Sequence, residues 1–210
     1  MSHKKARPDT LLNMAGILIA VAVVSGVALA YVHSATASIC LAAESAKKIE
    51  SAKKILPDFD NKPSDKMRRF LVDANDNIKE IDPESSLDDK SKECLCEYFP
   101  ATKGGVPVGA AITTFTNKGY SGHFVLMVGI GADGKVTEVS VIDHKETPGL
   151  GAQMVEDPFR TQFKGRVGGK PFVVKQDGGD VQAITGATIS SRAFCDALNR
   201  AYKVFAEASK

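Results

Sequence analysis

A surplus of charge of either sign is absent from this chain: 27 Lys and Arg stand against 25 Asp and Glu in 210 residues. Lys4, Lys5 and Arg7, with the acid Asp9, precede residue 33, so the remainder is electroneutral. A neutral domain gives no electrostatic case for nucleic acid. Cysteine is sparse as well, at Cys40, Cys94, Cys96 and Cys195. Cys94-Leu95-Cys96 is a strained spacing for a disulfide and only half a metal motif. No second C-x-C and no close His pair completes a zinc set, so unpaired or structural thiols and no metal are expected. His123 and His144 are isolated, and neither an acid–base dyad nor a Ser-His-Asp arrangement is evident; no catalytic residue is assigned. Internal repeats and low-complexity tracts are missing too. Apolar residues, at 43%, are enough to bury a sizeable core.

One long apolar run is present. Leu11 to Val32 carries no charge across 22 residues. At about 1.5 Å per residue it can cross a hydrocarbon core of about 30 Å. Tyr31 is placed for the interface. A cleaved signal peptide is the other reading, with Ala35-Thr36-Ala37 as a cleavage site, but secretory apolar regions are shorter, about 7–15 residues. A retained anchor is therefore expected. A lipid-modified Cys40 is disfavoured, because bulky Ile39 precedes it. The cations before the span keep the N-terminus cytoplasmic, with the rest of the chain outside. The expected division is a cytoplasmic N-terminus (1–10), a transmembrane helix (11–32), a juxtamembrane helical stalk (33–57) and an extracytoplasmic domain (58–210). The expected location is the bacterial cytoplasmic membrane, single-pass.

The stalk shows a narrow apolar stripe of Ala42, Ala46, Ile49 and Leu56. Glu44 with Lys48 and Glu50 with Lys54 are i,i+4 pairs in the favourable order, and Pro57 marks the end. Residues 58–104 are polar, interrupted by Pro63 and Pro83, with short strands around Met67–Asp73 and Cys94–Tyr98. Three runs rich in Val, Ile, Thr and Phe follow: Val106–Thr116, Gly122–Ile130 and Val136–Asp143. Asp133-Gly134 joins the last two as a hairpin. Residues 152–164 read as a short helix in two pieces around Pro158, and Phe172–Lys175 and Val181–Thr185 as further strands. A C-terminal helix presents Ile189, Ala193, Ala197, Leu198, Ala201 and Phe205 on one face, with Ser190 or Ser191 as its cap. The class is α+β, an antiparallel sheet with packed helices.

Gly129 to Gly134 matches G-x-G-x-x-G. Dinucleotide binding requires a helix directly after those glycines, to set a helix N-terminus against the pyrophosphate. The next residues, KVTEVSVID, are strand-like, so the match is read as a hairpin.

Two loops carry the candidate chemistry. In the first, His144 to Gly151, the segment Glu146-Thr147-Pro148-Gly149-Leu150-Gly151 has glycines and a proline that permit close approach to a ligand or an ordinary turn. The second is Ala183 to Phe194. Gly186 and Ala187 leave space around Thr185 and Thr188, and the helix that follows points free N–H groups at Thr188. A phosphate would be well placed there. Equally, a Ser or Thr before a helix is a routine cap.

ETPGLG followed by TGAT-x-S resembles the FMN-binding domain of membrane-bound flavoproteins. The likeness is to RnfG of the Rnf ion-translocating complex and to the related NqrC of the sodium-translocating NADH:quinone reductase. It covers the single span, the stalk and roughly residues 100–205. It implies FMN bound covalently through a phosphoester to Thr188, with Thr185, Gly186 and Ala187 recognised by a flavin transferase. It also implies that Glu146, Thr147, Gly149 and Leu150 lie near the isoalloxazine ring. The implied function is an electron-transfer subunit of an ion-translocating ferredoxin:NAD oxidoreductase, among other membrane subunits and with no independent catalysis. The alternatives are the quinone-reductase counterpart and a cofactor-free assembly subunit. The family's usual acid three positions before the first Thr is here Gln182; the nearest acid is Asp180.

Overall fold

The computed structural model describes residues 10–56, 59–61, 66–73, 77–82, 85 and 87–210. Lys4, Lys5, Arg7, Pro57, Pro63 and Pro83 lie outside the described residues, as do the side chains of Cys40, Ala42, Glu44, Ala46 and Ile49. The chain divides into two compact units, Met1–Ala46 and Lys47–Lys210.

Helix α1 runs Thr10–Ile55. Its stretch Asn13–Thr36, 24 residues, is long and apolar enough to cross a membrane, and none of it is buried in protein. Near its other end the Lys54 ammonium meets the Glu50 carboxylate at 2.8 Å, as the i,i+4 spacing predicts.

The second unit is built on a six-stranded antiparallel sheet. Its strands are β1 (Arg68–Val72), β2 (Ile78–Ile81), β3 (Leu95–Lys103), β4 (Val106–Gly119), β5 (Gly122–Gly131) and β6 (Val136–Asp143), in spatial order β2-β1-β3-β4-β5-β6. A one-turn helix α2 (Asp89–Lys92) precedes β3. The period-2 alternation of β5 explains why both faces need covering. Leu126, Val128 and Ile130 join the main core, while Met127 joins a smaller cluster with Phe99, Ala101 and Ala111. The smaller cluster is closed by Ala52, Ile55 and Leu56, the last turns of α1.

The main core is closed by α4 (Thr188–Ala208), whose Ala193, Phe194, Ala197, Leu198 and Ala201 are buried. The Thr114 hydroxyl on β4 donates to the Ala197 carbonyl at 3.0 Å, tying the helix to the middle of the sheet. Phe194 meets Phe159 edge-on at 5.0 Å and Phe163 at 5.1 Å. Each such pair contributes about 0.5–1.5 kcal/mol beyond buried area, so the segment between β6 and α4 is fixed by aromatic packing.

Several expectations need correction. Phe172–Lys175 and Val181–Thr185 are not strands: a single parallel bridge, Val174 with Val181, joins them. They are apolar because Phe172, Val174, Val181, Ala183 and Ile184 fill the core. Residues 152–164 hold three short pieces, a 3-10 turn Gly151–Val155, the one-turn helix α3 (Asp157–Arg160) and a 3-10 turn Thr161–Phe163. Pro158 lies in the first turn of α3, where its missing N–H costs nothing. The glycine triplet is a hairpin, with Gly134 at φ 75° and its N–H on the Gly131 carbonyl at 2.9 Å. Gly129 has a different cause from the turn: a Cβ there would stand 2.5 Å from the Ile55 carbonyl oxygen, so its absence lets α1 dock.

Candidate functional site

Three segments converge on one cavity of about 550 Å³. It is lined by the β4–β5 turn (Tyr120), the loop after β6 (Glu146, Thr147, Leu150, Gly151) and the start of α4 (Gly186 to Ser190). That volume lies within the range of small-molecule sites, about 300–1,000 Å³. Two larger-scale features hold it: the sheet positions the turn, and the phenylalanine cluster positions α4.

At the centre of the assembly is Glu146, 5% exposed. Its Oε1 accepts the Ser121 N–H at 3.2 Å and its Oε2 accepts the Ser190 hydroxyl at 3.0 Å. One side chain thus joins all three segments. Gly151 must be glycine for this packing, since a Cβ there would lie 2.5 Å from Glu146 Oε2 and 2.7 Å from Ser190 Oγ. Gly149 and Gly186 both adopt φ 74°, a conformation that favours glycine.

Helix α4 begins at Thr188 with Ala187 as N-cap and no side-chain capping bond. The expected Ser190 or Ser191 cap is therefore not formed. Ser190 is diverted to Glu146, and Ser191 accepts the Ile184 N–H at 2.9 Å and donates to the Ala187 carbonyl at 3.0 Å, bracing the turn from inside. The first N–H groups of the helix have no intrahelical acceptor. The Thr188 side chain is half-buried, and its hydroxyl makes no hydrogen bond among the described residues. Ile189, expected on the core face, is 48% exposed at the cavity rim.

Of the residues singled out in the sequence, Glu146, Thr147, Leu150, Gly186, Ala187 and Thr188 line the cavity. Thr185 is exposed beside it, and Gly149 serves the loop, its carbonyl accepting from the Gln153 amide at 3.1 Å. Gln182 is exposed, with its backbone N–H on the Gln162 side chain at 2.8 Å; Asp180 pairs with Arg166. Sequence patterning gives no sign of Tyr120, because a tyrosine between two turn glycines carries nothing that marks a site.

The electrostatics are unusual for an anion site. The lining includes one carboxyl group and no Lys or Arg. Two cations that line the neighbouring cavity are engaged by carboxylates, Arg192 with Asp177 at 2.6 Å and Lys118 with Asp196 at 2.6 Å. The Arg192 guanidinium holds the Asp177 carboxyl below its ordinary range. Within the lining, the positive potential available to an anion is that of the α4 N-terminus.

None of Cys94, Cys96 and Cys195 lines this cavity. Burial pushes the Cys96 and Cys195 thiols up to about 12. Cys94 and Cys96 are both free, and no cluster of metal-ligating side chains occurs among the described residues.

Comparison with known proteins bears directly on this cavity. Residues 119–203, which include every lining residue, match the FMN-binding domain family. The chain is 41% identical over 113 residues to the G subunit of the ion-translocating oxidoreductase complex of Shewanella baltica, covering 51% of this chain and 53% of that protein. It is 39% identical over 107 residues to the G subunit of the proton-translocating ferredoxin:NAD(+) oxidoreductase complex of Clostridium ljungdahlii, covering 50% and 57%. The matched region thus spans about half the length of these curated relatives. Among solved structures, the C subunit of the Na(+)-translocating NADH-quinone reductase of Parabacteroides distasonis is similar at 22% identity and a TM-score of 0.45, covering 71% of this chain and 75% of that one. Residues 119–203 thus match the FMN-binding domain family, in a chain similar to the G subunits of the ion-translocating oxidoreductases.

Proposed function

We propose that this chain carries FMN covalently, through a phosphoester to Thr188, and relays electrons within an ion-translocating ferredoxin:NAD oxidoreductase complex. The observation that carries the reading is the state of Thr188. Its hydroxyl is unbonded among the described residues, and the residue lines the cavity of an FMN-binding domain on the first turn of a 21-residue helix. A simple helix cap would explain the segment without a ligand, but the cap makes no side-chain bond.

The charge of the cavity supports a covalent link. A free phosphate monoester carries about −1.5 to −2 at neutral pH. Here it would face a carboxyl group with no Lys or Arg in the lining. A diester carries about one charge less, which the helix N-terminus is better able to stabilise. The ester also retains the cofactor without a strong ionic site. Bound FMN supplies the electron-carrying chemistry. Thr188 would hold the phosphate, and the cavity rim of Tyr120, Leu150 and Ile189 would receive the ring.

The anchor belongs to the same reading. The apolar helix holds the domain at the membrane, the N-terminus lies inside and the FMN domain outside, where a flavin transferase acts on Thr185-Gly186-Ala187-Thr188. The other subunits of the complex are its partners. An in-gel fluorescence scan after full denaturation tests the cofactor link. A fluorescent band at the mass of this chain is expected when the transferase is co-expressed. A dark band in transferase-positive cells contradicts it and leaves the cofactor-free assembly subunit.

A further inference from the structure

Tyr120 is the only aromatic residue among the described residues that line the cavity, and it is 71% exposed. It stands on a tight turn between Gly119 and Gly122, the latter at φ 95°. That turn is pressed against Glu146: a Cβ on Gly119 would lie 2.7 Å from Glu146 Oε1 and 3.0 Å from Phe124. The amide of the next residue, Ser121, is the one Glu146 accepts. The phenol hydroxyl makes no hydrogen bond among the described residues. Leu150 and Ile189, 45% and 48% exposed, complete an apolar rim. An isolated exposed Tyr needs no explanation. A Tyr grouped with two exposed aliphatic side chains around one cavity, on a turn fixed by a buried carboxylate, does.

We propose that Tyr120 is the aromatic wall against which the flavin ring lies, and that Glu146 is a positioning residue that holds this wall by binding the adjacent Ser121 amide and bracing it on Ser190. The proposal rests on the assignment of FMN to Thr188. A planar heteroaromatic ring gains offset-stacking contact with a phenol face. Glu146 then need not touch the flavin, because both its oxygens already face protein donors.

Flavin emission reads this geometry. An electron-rich phenol or indole in van der Waals contact quenches an excited flavin by electron transfer, and an aliphatic side chain does not. The full chain is co-expressed with the flavin transferase as wild type, Tyr120→Leu, Tyr120→Trp, Glu146→Ala and Ser190→Ala. Mass spectrometry first establishes the Thr188 adduct in each. Native emission per adduct is then compared with emission after denaturation. The wild type and Tyr120→Trp are expected to stay quenched, and Tyr120→Leu to brighten several-fold. Glu146→Ala is expected to brighten by an intermediate factor, with Ser190→Ala, which leaves the Ser121 contact intact, nearer the wild type. Equal native emission from wild type and Tyr120→Leu, with both carrying the adduct, overturns the wall while the Thr188 assignment stands. Loss of the adduct in Tyr120→Leu alone also overturns it, by making Tyr120 part of attachment. No adduct in the wild type overturns both.

Discussion

Two carboxylates are buried to nearly the same depth in this domain, Glu97 at 6% exposure and Glu146 at 5%, and their surroundings differ sharply. Glu97, on β3, faces the end of α1. Lys48 meets it at 2.5 Å and Arg69 at 3.9 Å, and the Thr113 hydroxyl donates to it at 3.3 Å. Glu146 meets no cation among the described residues and is satisfied by one amide N–H and one hydroxyl. A carboxylate flanked by two cations has its charge compensated by the protein, and so fastens one element to another. A carboxyl group with neutral donors, on the wall of a cavity without Lys or Arg, fixes the shape of that cavity and leaves its potential to the helix N-terminus. The first region is closed by its own ion pairs; the second borders an open cavity.

The strongest way to break the comparison is Glu97→Ala. It removes the carboxylate that Lys48 and Arg69 both meet, at a cost of about 2–3 kcal/mol. Thermal unfolding of the full chain in detergent should fall by roughly 4–12 °C. An unchanged midpoint would mean that the end of α1 is held without this ion pair, by its apolar contacts and the Thr137 hydroxyl on the Ile55 carbonyl.

A smaller effect is expected from Gly151→Ala. The added methyl must displace the Glu146–Ser190 contact, costing about 1–2 kcal/mol. Hydrogen exchange should quicken in residues 146–151 and 188–191 and stay unchanged in 48–56. Quickening in both regions would mean that the two carboxylates belong to one network.

Replacing each carboxylate by its amide sharpens the contrast. Glu97→Gln loses two charge interactions. Glu146→Gln can accept the Ser121 N–H through its oxygen and donate to Ser190 through its nitrogen. Glu97→Gln should therefore be more destabilising by about 1 kcal/mol, measured by urea unfolding of both variants.

The smallest effect concerns the thiols of the core. Burial raises Cys96 and Cys195 to about 12, so the folded state keeps protons that the unfolded state releases above about 8.5. Their contribution is constant below that pH and falls as pH rises towards 12. Alkylation of the native chain at mildly alkaline pH should reach half-buried Cys94 and spare the other two; rapid labelling of Cys195 would show that α4 opens.

Much of the sheet is legible in the sequence because β4, β5 and β6 are long β-branched runs, the last two joined by an Asp-Gly turn. Ile78–Ile81 is not: Ile-Lys-Glu-Ile has no alternation of its own and becomes a strand by pairing with β1 at the sheet edge. The runs at 172–175 and 181–185 mislead for the opposite reason, being apolar to fill the core rather than to pair. In the site, the two loops are visible from their glycines and threonines. What joins them is not. Ser190 reads as a cap and acts as the partner of Glu146, and Tyr120 arrives from a hairpin some 25 residues earlier; both are tertiary facts that no local spacing encodes.

The central claim is that the Thr188 hydroxyl is the atom esterified by FMN. Peptide mass spectrometry on the chain co-expressed with a flavin transferase tests it most directly, with Thr188→Val as the control that keeps the side-chain shape and removes the oxygen. The account predicts an FMN-sized adduct on the peptide containing Thr188, absent from Thr188→Val, in which the helix N-terminus alone retains little flavin. An adduct that persists in Thr188→Val, or that maps to Thr185 or Ser190, would contradict it.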